Sequence, residues 1–265
     1  MKSTVILYIA AVALSGCVQT AVIPDTVVGN AFADRRYAIV IIDCSSGTIS
    51  DFRPLASSEK LPPCSTFKIW NALIGLDSGI ITSGDEAFYR WDGETRAIPD
   101  WNRDLTVKEA FRASCVPAFQ GLARKIGSLE MQSWLDKIGY GDRDISAGIN
   151  VFWLPAKGRK TILISPKEQA QLMCKLVSGK IPCREQSLAV LKDMMVIRTT
   201  DRGVLYGKTG SGVDGTGTYV LGWFVGYVES RGMAYAFACA LHGDNVMGKD
   251  ALAIVEIILK KQELL

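Results

Sequence analysis

The chain has 265 residues, 48% of them hydrophobic and 22% charged, with a formal net charge of +3. That is enough apolar material for a substantial core, and too little positive charge to argue for a nucleic-acid partner. A single histidine, and seven cysteines without paired C-x-x-C spacing, argue against a metal site.

The N-terminus, MKSTVILYIAAVALSGC, has Lys2, an apolar run of signal-peptide length and then small residues. The run is too short to span a bilayer comfortably. Leu14 to Cys17 (LSGC) resembles the lipobox of bacterial lipoproteins, in which cleavage leaves a lipidated cysteine. The expected organisation is a signal peptide over 1–16, a tether over 17–30 beginning at lipidated Cys17, and one domain over 31–265. Val18 resembles the outer-membrane sorting pattern of Gram-negative lipoproteins, so the expected location is periplasmic, exported and anchored to the outer membrane. A cleaved signal with a chance cysteine is the alternative.

Residues 35–43 (RRYAIVIID) read as a strand, followed by a turn at SSGT. Residues 66–77 read as a helix behind Pro62 and Pro63, with Ser65 at its first turn. Helical spacing continues over 106–114, with Thr106 as cap, over 117–127, and over 129–139, stopped by Gly139. Ser165, Pro166 and Glu168 form the start signal of a helix that stops at Gly179. Residues 187–196 are also helical. From Gly203 the pattern changes to three strand-like runs, 203–211, 218–230 and 233–243, and the chain closes as an amphipathic helix. The expected fold class is α+β. The order of elements implies an antiparallel sheet, the early strand beside the late meander, next to a mainly helical subdomain; flanking N- and C-terminal helices, and an active site between sheet and subdomain, are what the family resemblance given below implies.

Apart from Cys17, the cysteines are Cys44, Cys64, Cys115, Cys174, Cys183 and Cys239. An exported protein can pair some of them. Cys174 and Cys183 flank a turn and could close a small loop. Cys64 and Cys115 adjoin two serines of interest and could be neighbours. Buried free thiols are equally compatible with the sequence.

His242, at a strand end, offers little support for Ser-His-Asp chemistry. A serine nucleophile then needs another base. Lysine is protonated in water, with about one in a thousand neutral near pH 7.4. Burial can lower its pKa to roughly 5–6. Ser65 and Lys68 are spaced i, i+3 and share a helix face, and Phe67, Ile69 and Trp70 surround the lysine with apolar bulk. A second S-x-x-K, Ser57 to Lys60, lies in a polar stretch that runs into prolines.

Two more motifs follow in order: Ser114-Cys115-Val116 at a helix end, and Lys208-Thr209-Gly210 at a strand end. Together S-x-x-K, S-x-V and K-T-G resemble the serine β-lactamase and penicillin-binding superfamily. Within it the chain resembles class D, the oxacillinase-type β-lactamases. The segments RWDGETRAIPDWNRD (90–104), YGDRDIS (140–146), VFWLPAKGRKTILISPKEQ (151–169) and GWFVGYVE (222–229) carry the likeness, which spans roughly residues 35 to 262.

The resemblance implies hydrolysis of β-lactams such as penicillins through an acyl-enzyme on Ser65. Lys68, carbamylated by CO₂ or bicarbonate, is the implied base for acylation and deacylation, held by the indole N–H of Trp153. Val116 and Leu154 are implied to keep water off the lysine, and Ser114 to pass a proton to the β-lactam nitrogen. Lys208, Thr209, Gly210 and Ser211 are implied to bind substrate, with the backbone N–H groups of Ser65 and Ser211 as oxyanion hole. No other cofactor and no metal is implied. The implied partner is a small β-lactam, with no nucleic acid, membrane contact only through a lipid anchor, and a monomer or dimer. Sensor domains that bind β-lactams and stay acylated resemble the same class. Three departures stand out. Asp142 replaces the Y-G-N asparagine, Cys64 precedes the nucleophile, and the late arginine for the substrate carboxylate has no match, leaving Lys249 as its stand-in.

Overall fold

The computed structural model describes residues 20–21, 35–52 and 54–265. The expected signal peptide, Cys17 and most of the tether lie outside the described residues, as does any helix preceding the first long strand. Within the expected tether, Thr20–Ala21 forms a two-residue strand, β1.

The strand-like run of 35–43 becomes β2, Arg36–Asp43. It is followed by the short strand β3, Ile49–Asp51, and a four-residue helix α1, Pro54–Ser57. The late meander is β7, Gly203–Val213, β8, Tyr219–Ser230, and β9, Met233–His242. A further short strand, β6, Val196–Thr199, pairs with the start of β7. The sheet order is β1-β3-β2-β9-β8-β7-β6, and every pair except β1–β3 is antiparallel. The early strand therefore lies beside the meander, as its composition predicts.

Both faces of the sheet are covered, so its central strands are buried throughout. Ile39, Ile41, Phe224, Val228 and Phe237 point to one side. There they meet Ile254, Val255 and Ile258 of the last helix, α8, Gly248–Lys261. Val40, Ile42, Trp223, Val225 and Tyr227 point to the other side and join the larger core. Ala236, Ala238 and Ala240 of β9 are small, and α6, Pro166–Val177, packs directly across β9 and β2.

The helical part contains α2, Lys68–Asp77, α3, Val107–Arg112, α4, Val116–Ile126, α5, Ser128–Ile138, and α7, Glu185–Met195. Its start signals work as the sequence indicates. The Thr106 hydroxyl accepts the Glu109 N–H while the Glu109 carboxylate accepts the Thr106 N–H, and Ser165 and Glu168 repeat the arrangement. Gly139 ends α5 in the left-handed conformation. A small hairpin, β4, Ala87–Tyr89, with β5, Leu105–Thr106, precedes α3.

Cys44 bonds to Cys174, joining the end of β2 to α6. This corrects the Cys174–Cys183 loop suggested by the sequence; Cys64, Cys115 and Cys183 are free, the first two as buried thiols. The packing of α6 on β2 brings Cys174 to Cys44 with a Cα separation of 5.4 Å. Closeness in sequence to Cys183 counts for nothing once Cys174 is turned toward the sheet. Because the bond closes a long loop, replacing both Cys44 and Cys174 with Ala should lower unfolding stability by about 2–4 kcal/mol. Denaturant unfolding checks this, and an unchanged midpoint contradicts it.

Candidate active site

Ser65 lies in a 3₁₀ turn, Cys64–Phe67, and the α-helix itself begins at Lys68. The serine thus sits in a tighter turn just before the α-helix, which starts at Lys68 rather than at residue 66. The Lys68 N–H reaches back to the Ser65 carbonyl, the i→i−3 bond of a 3₁₀ turn. Cys64 is held at φ 52°, a left-handed conformation that costs a non-glycine residue energy. Its neighbours hold it there. Trp223 Nε1 of β8 donates to the Pro62 carbonyl at 2.9 Å, and Thr66 Oγ1 donates to the Pro63 carbonyl at 2.7 Å. Gln169 Nε2 of α6 donates to Thr66 Oγ1 in turn.

Every residue of α2 from Lys68 to Leu76 is buried. A helix buried on all sides belongs in the middle of a core, and Lys68 is carried there with it. Its Nζ lies 2.8 Å from Ser65 Oγ and 5.6 Å from the centre of the Phe119 ring. Burial brings the Lys68 pKa down from 10.5 to about 7, against smaller upward effects of Cys115 and Cys64. No carboxylate among the described residues opposes the fall. The Cys64 thiol is pushed up to about 12 by burial and keeps its proton at neutral pH.

Ser114 ends α3 in the left-handed region at φ 54°, and the chain turns there into α4. The Cys115 N–H bonds back to the Ala110 carbonyl at 2.8 Å, a closure typical of helix ends. Lys208 Nζ donates to Ser114 Oγ at 2.5 Å and to the Thr209 carbonyl at 3.0 Å, above the Phe111 ring. Lys208 is almost wholly buried, and burial, then the charge of Lys68, pushes its pKa well below the ordinary lysine value. The three motifs of the sequence therefore meet. Ser65 contacts Lys68, Ser114 contacts Lys208, and the two lysines are close enough to repel.

Gly210 allows this assembly. A Cβ there would come within 3.2 Å of the Ser65 nitrogen and 3.1 Å of the Pro63 carbonyl oxygen. The K-T-G strand thus runs against the turn that carries Ser65. β6 pairs with β7 only as far as Tyr206, and from Gly207 onward the outer edge of β7 has no strand beside it among the described residues. Such an edge can pair with an extended ligand. Ser211 Oγ accepts the Gly248 N–H at 3.0 Å, tying that edge to the start of α8.

Trp153 is fully buried, stacked on Phe67 with ring centres 5.6 Å apart, and its Nε1 has no hydrogen-bond partner. An indole N–H is a donor only, so this is an orphan donor awaiting an acceptor. Val116 opens α4 and Leu154 follows Trp153, both half-buried. Lys249 is exposed in the first turn of α8, next to Gly248, which packs on Thr209 and Gly210. His242 closes β9, which β8 separates from β7, so it belongs to another part of the sheet. Two aromatic rings under the lysines, Phe111 and Phe119, were not singled out from the sequence. Their helical spacing reads as ordinary core, and only the tertiary fold shows what they cover.

A penicillin-binding protein transpeptidase domain matches residues 29–262. The chain is 32% identical over 244 residues to the β-lactamase OXA-10 of Pseudomonas aeruginosa, covering 89% of this chain and 90% of that protein. It is 34% identical over 238 residues to the probable β-lactamase YbxI of Bacillus subtilis, covering 90% and 85%. A crystal structure of a class D β-lactamase from Bacillus subtilis superposes with a TM-score of 0.83 at 34% identity, covering 90% of this chain and 96% of that one. The class D enzyme FUS-1 (OXA-85) of Fusobacterium nucleatum subsp. polymorphum does so with a TM-score of 0.83 at 31% identity, covering 91% and 98%. The chain belongs to the class D β-lactamases.

For a class D β-lactamase, Asp142 is the departure that raises the question of a lost donor. Here its Oδ1 accepts the N–H of Leu163 at 3.0 Å and of Asp144 at 3.2 Å. Both jobs need an acceptor, which aspartate and asparagine share. Asp142→Asn should therefore leave stability within about 0.5 kcal/mol, whereas Asp142→Ala should cost about 1–2 kcal/mol. Chemical denaturation checks this, and equal losses in the two variants would show that charge matters rather than the acceptor.

Proposed function

We propose that the protein hydrolyses β-lactam antibiotics of the penicillin and oxacillin type, with Ser65 as the acylated nucleophile and Lys68 as the group that takes its proton. The observation that carries this reading is the Lys68–Ser65 contact of 2.8 Å inside a pocket that draws the amine down to about 7. Near neutral pH about half of such amines are uncharged, and a neutral amine can take up CO₂ as a carbamate whose oxygen accepts the Ser65 proton. The Ser65 oxygen then attacks the β-lactam carbonyl, and the backbone N–H groups of Ser65 and Ser211 stabilise the developing oxyanion. Ser114, hydrogen-bonded to Lys208, passes a proton to the departing ring nitrogen. Lys208 and Thr209 hold the substrate along the free edge of β7.

The orphan N–H of Trp153 fits a carbamate on Lys68, because it is a buried donor that an anionic oxygen would satisfy. Formed from CO₂ on the neutral amine, the carbamate supplies an oxygen base for both acylation and the water that frees the enzyme. Val116 and Leu154, flanking the site, limit the access of bulk water to the lysine. No other cofactor and no metal enters this reading. Export behind the 1–16 leader, with lipidation at Cys17, a tether over 17–30 and one domain over 31–265, completes the proposal. No helix among the described residues is long and apolar enough to cross a membrane.

A second reading is a β-lactam sensor that stays acylated. The chain is 33% identical over 207 residues to the regulatory protein BlaR1 of Bacillus licheniformis, covering 78% of this chain and 33% of that protein. Hydrolysis predicts a burst followed by steady turnover of a chromogenic cephalosporin, and a burst alone would favour the sensor.

Activity should rise with pH through about 7, as Lys68 sheds its proton. Activity lost by incubation below that value should return on adding bicarbonate at neutral pH. Lys68→Ala should leave any acyl-enzyme undischarged in intact-mass spectra, and unchanged turnover in that variant would exclude Lys68 as the base.

A further inference from the structure

Cys64 is one of the departures in the sequence, and it takes no part in the chemistry proposed above. It is nonetheless held at φ 52°, a conformation that glycine would adopt without steric cost. Its side chain is buried, and the thiol donates to the Pro62 carbonyl at 3.5 Å. The sulfur lies against β7. A Cβ on Gly212 would come within 3.0 Å of it, and within 3.3 Å of Leu221 on β8. Two residues earlier, a Cβ on Gly210 would come within 3.2 Å of the Ser65 nitrogen. The strand therefore rests on the 64–65 segment at two points, and Ser211 lies between them. On the other face of the sheet the strand is closed in by α8. A Cβ on Gly248 would come within 2.7 Å of the Gly210 carbonyl oxygen, and the Gly248 N–H donates to Ser211 Oγ at 3.0 Å.

Resting on the β-lactam reading above, we propose that Cys64 is a positioning residue: its sulfur, seated against Gly212, sets the spacing between the Ser65 and Ser211 N–H groups that receive the oxyanion. Two donors help a developing oxyanion only where both reach it together, and a misplacement on the order of 1 Å can cost roughly a hundredfold in rate. The Ser65 N–H is fixed by its own turn, because Trp223, Thr66 and Gln169 hold the residues on either side of it. The Ser211 N–H belongs to a different element, and its distance from that turn depends on what fills the gap under Gly212. A methyl group at position 64 would leave the place of the sulfur empty and let the strand settle. The sulfur and Gly212 are thus complementary, a bulky group facing a residue with no side chain. Buried beneath the strand, Cys64 acts through it rather than on the substrate.

The test is acylation by benzylpenicillin, followed by rapid-quench intact-mass spectrometry, with the ester carbonyl stretch of the acyl-enzyme read by infrared difference spectroscopy. Cys64→Ala should lower the limiting acylation rate roughly tenfold, leave the half-saturating concentration within about twofold, and raise the carbonyl stretching frequency as its hydrogen bonds weaken. Cys64→Gly removes the backbone strain along with the sulfur, so it should unfold no earlier than Cys64→Ala and still acylate as slowly. Cys64→Ser keeps an atom and a donor in that place and should restore the rate to within about threefold of the parent. Gly212→Ala alone should slow acylation by clashing with the sulfur, whereas adding it to Cys64→Ala refills the gap and should recover part of the loss. An unchanged limiting rate in Cys64→Ala, an unmoved carbonyl stretch, or rates that merely follow the thermal midpoints of the variants would each overturn the assignment. Absence of any acylation in the parent protein would instead defeat the functional reading itself, so the two failures are distinct.

Discussion

Burying one ammonium-bearing side chain without a counter-charge is the constraint around which the site is built. Lys68 begins a helix whose first nine residues are all buried. It is surrounded by the ring of Phe119, neutral thiols and the hydroxyl of Ser65. In the unfolded chain this lysine holds its proton up to about 10.5, and in the fold only up to about 7. Between those values the unfolded state binds the extra proton, so stability falls as pH drops from 10.5 to 7. At neutral pH the cost is about 5 kcal/mol, a large fraction of the stability of an ordinary domain. The aromatic packing of Phe67 with Tyr140, Phe152 and Trp153 is the surrounding structure that sustains it.

The strain in the site points the same way. Cys64, immediately before Ser65, and Ser114, the second motif serine, are both non-glycine residues at positive φ. Each is fixed by elements that pass close by. β8 and α6 hold the turn before Ser65, and the end of α3 with the start of α4 holds Ser114. Gly210 lets β7 approach that turn without a clash. The two lysines are thereby placed close together, one beside Ser65 Oγ and one beside Ser114 Oγ. Their mutual repulsion disfavours double protonation.

Much of this was legible in the residues, because the long elements carry local signals. The boxes at Thr106 and Ser165, the stop at Gly139 and the period-2 runs after Gly203 each give an element within a residue or two of its place. The missed strands, β1, β3, β4, β5 and β6, are two to four residues long, too short to carry a pattern of their own. The disulfide was missed for a related reason, since helix α6 docking on β2 decides it. In the site, the three motifs and their order identified the lysine–serine pair. The orphan N–H of Trp153 could not be read, because it is a statement about a missing partner in three dimensions. Asp142 ran the other way. The sequence suggested a lost donor, and the fold uses the side chain as an acceptor.

The account rests on an uncharged Lys68 amine in the working protein, and labelling tests that most directly. In ¹³C-bicarbonate at neutral pH, the protein should show one carbamate carbon signal that disappears in Lys68→Ala and fades as the pH falls below about 7. Fully active protein with no such signal, and with a Lys68 ammonium still charged above pH 8, would contradict it.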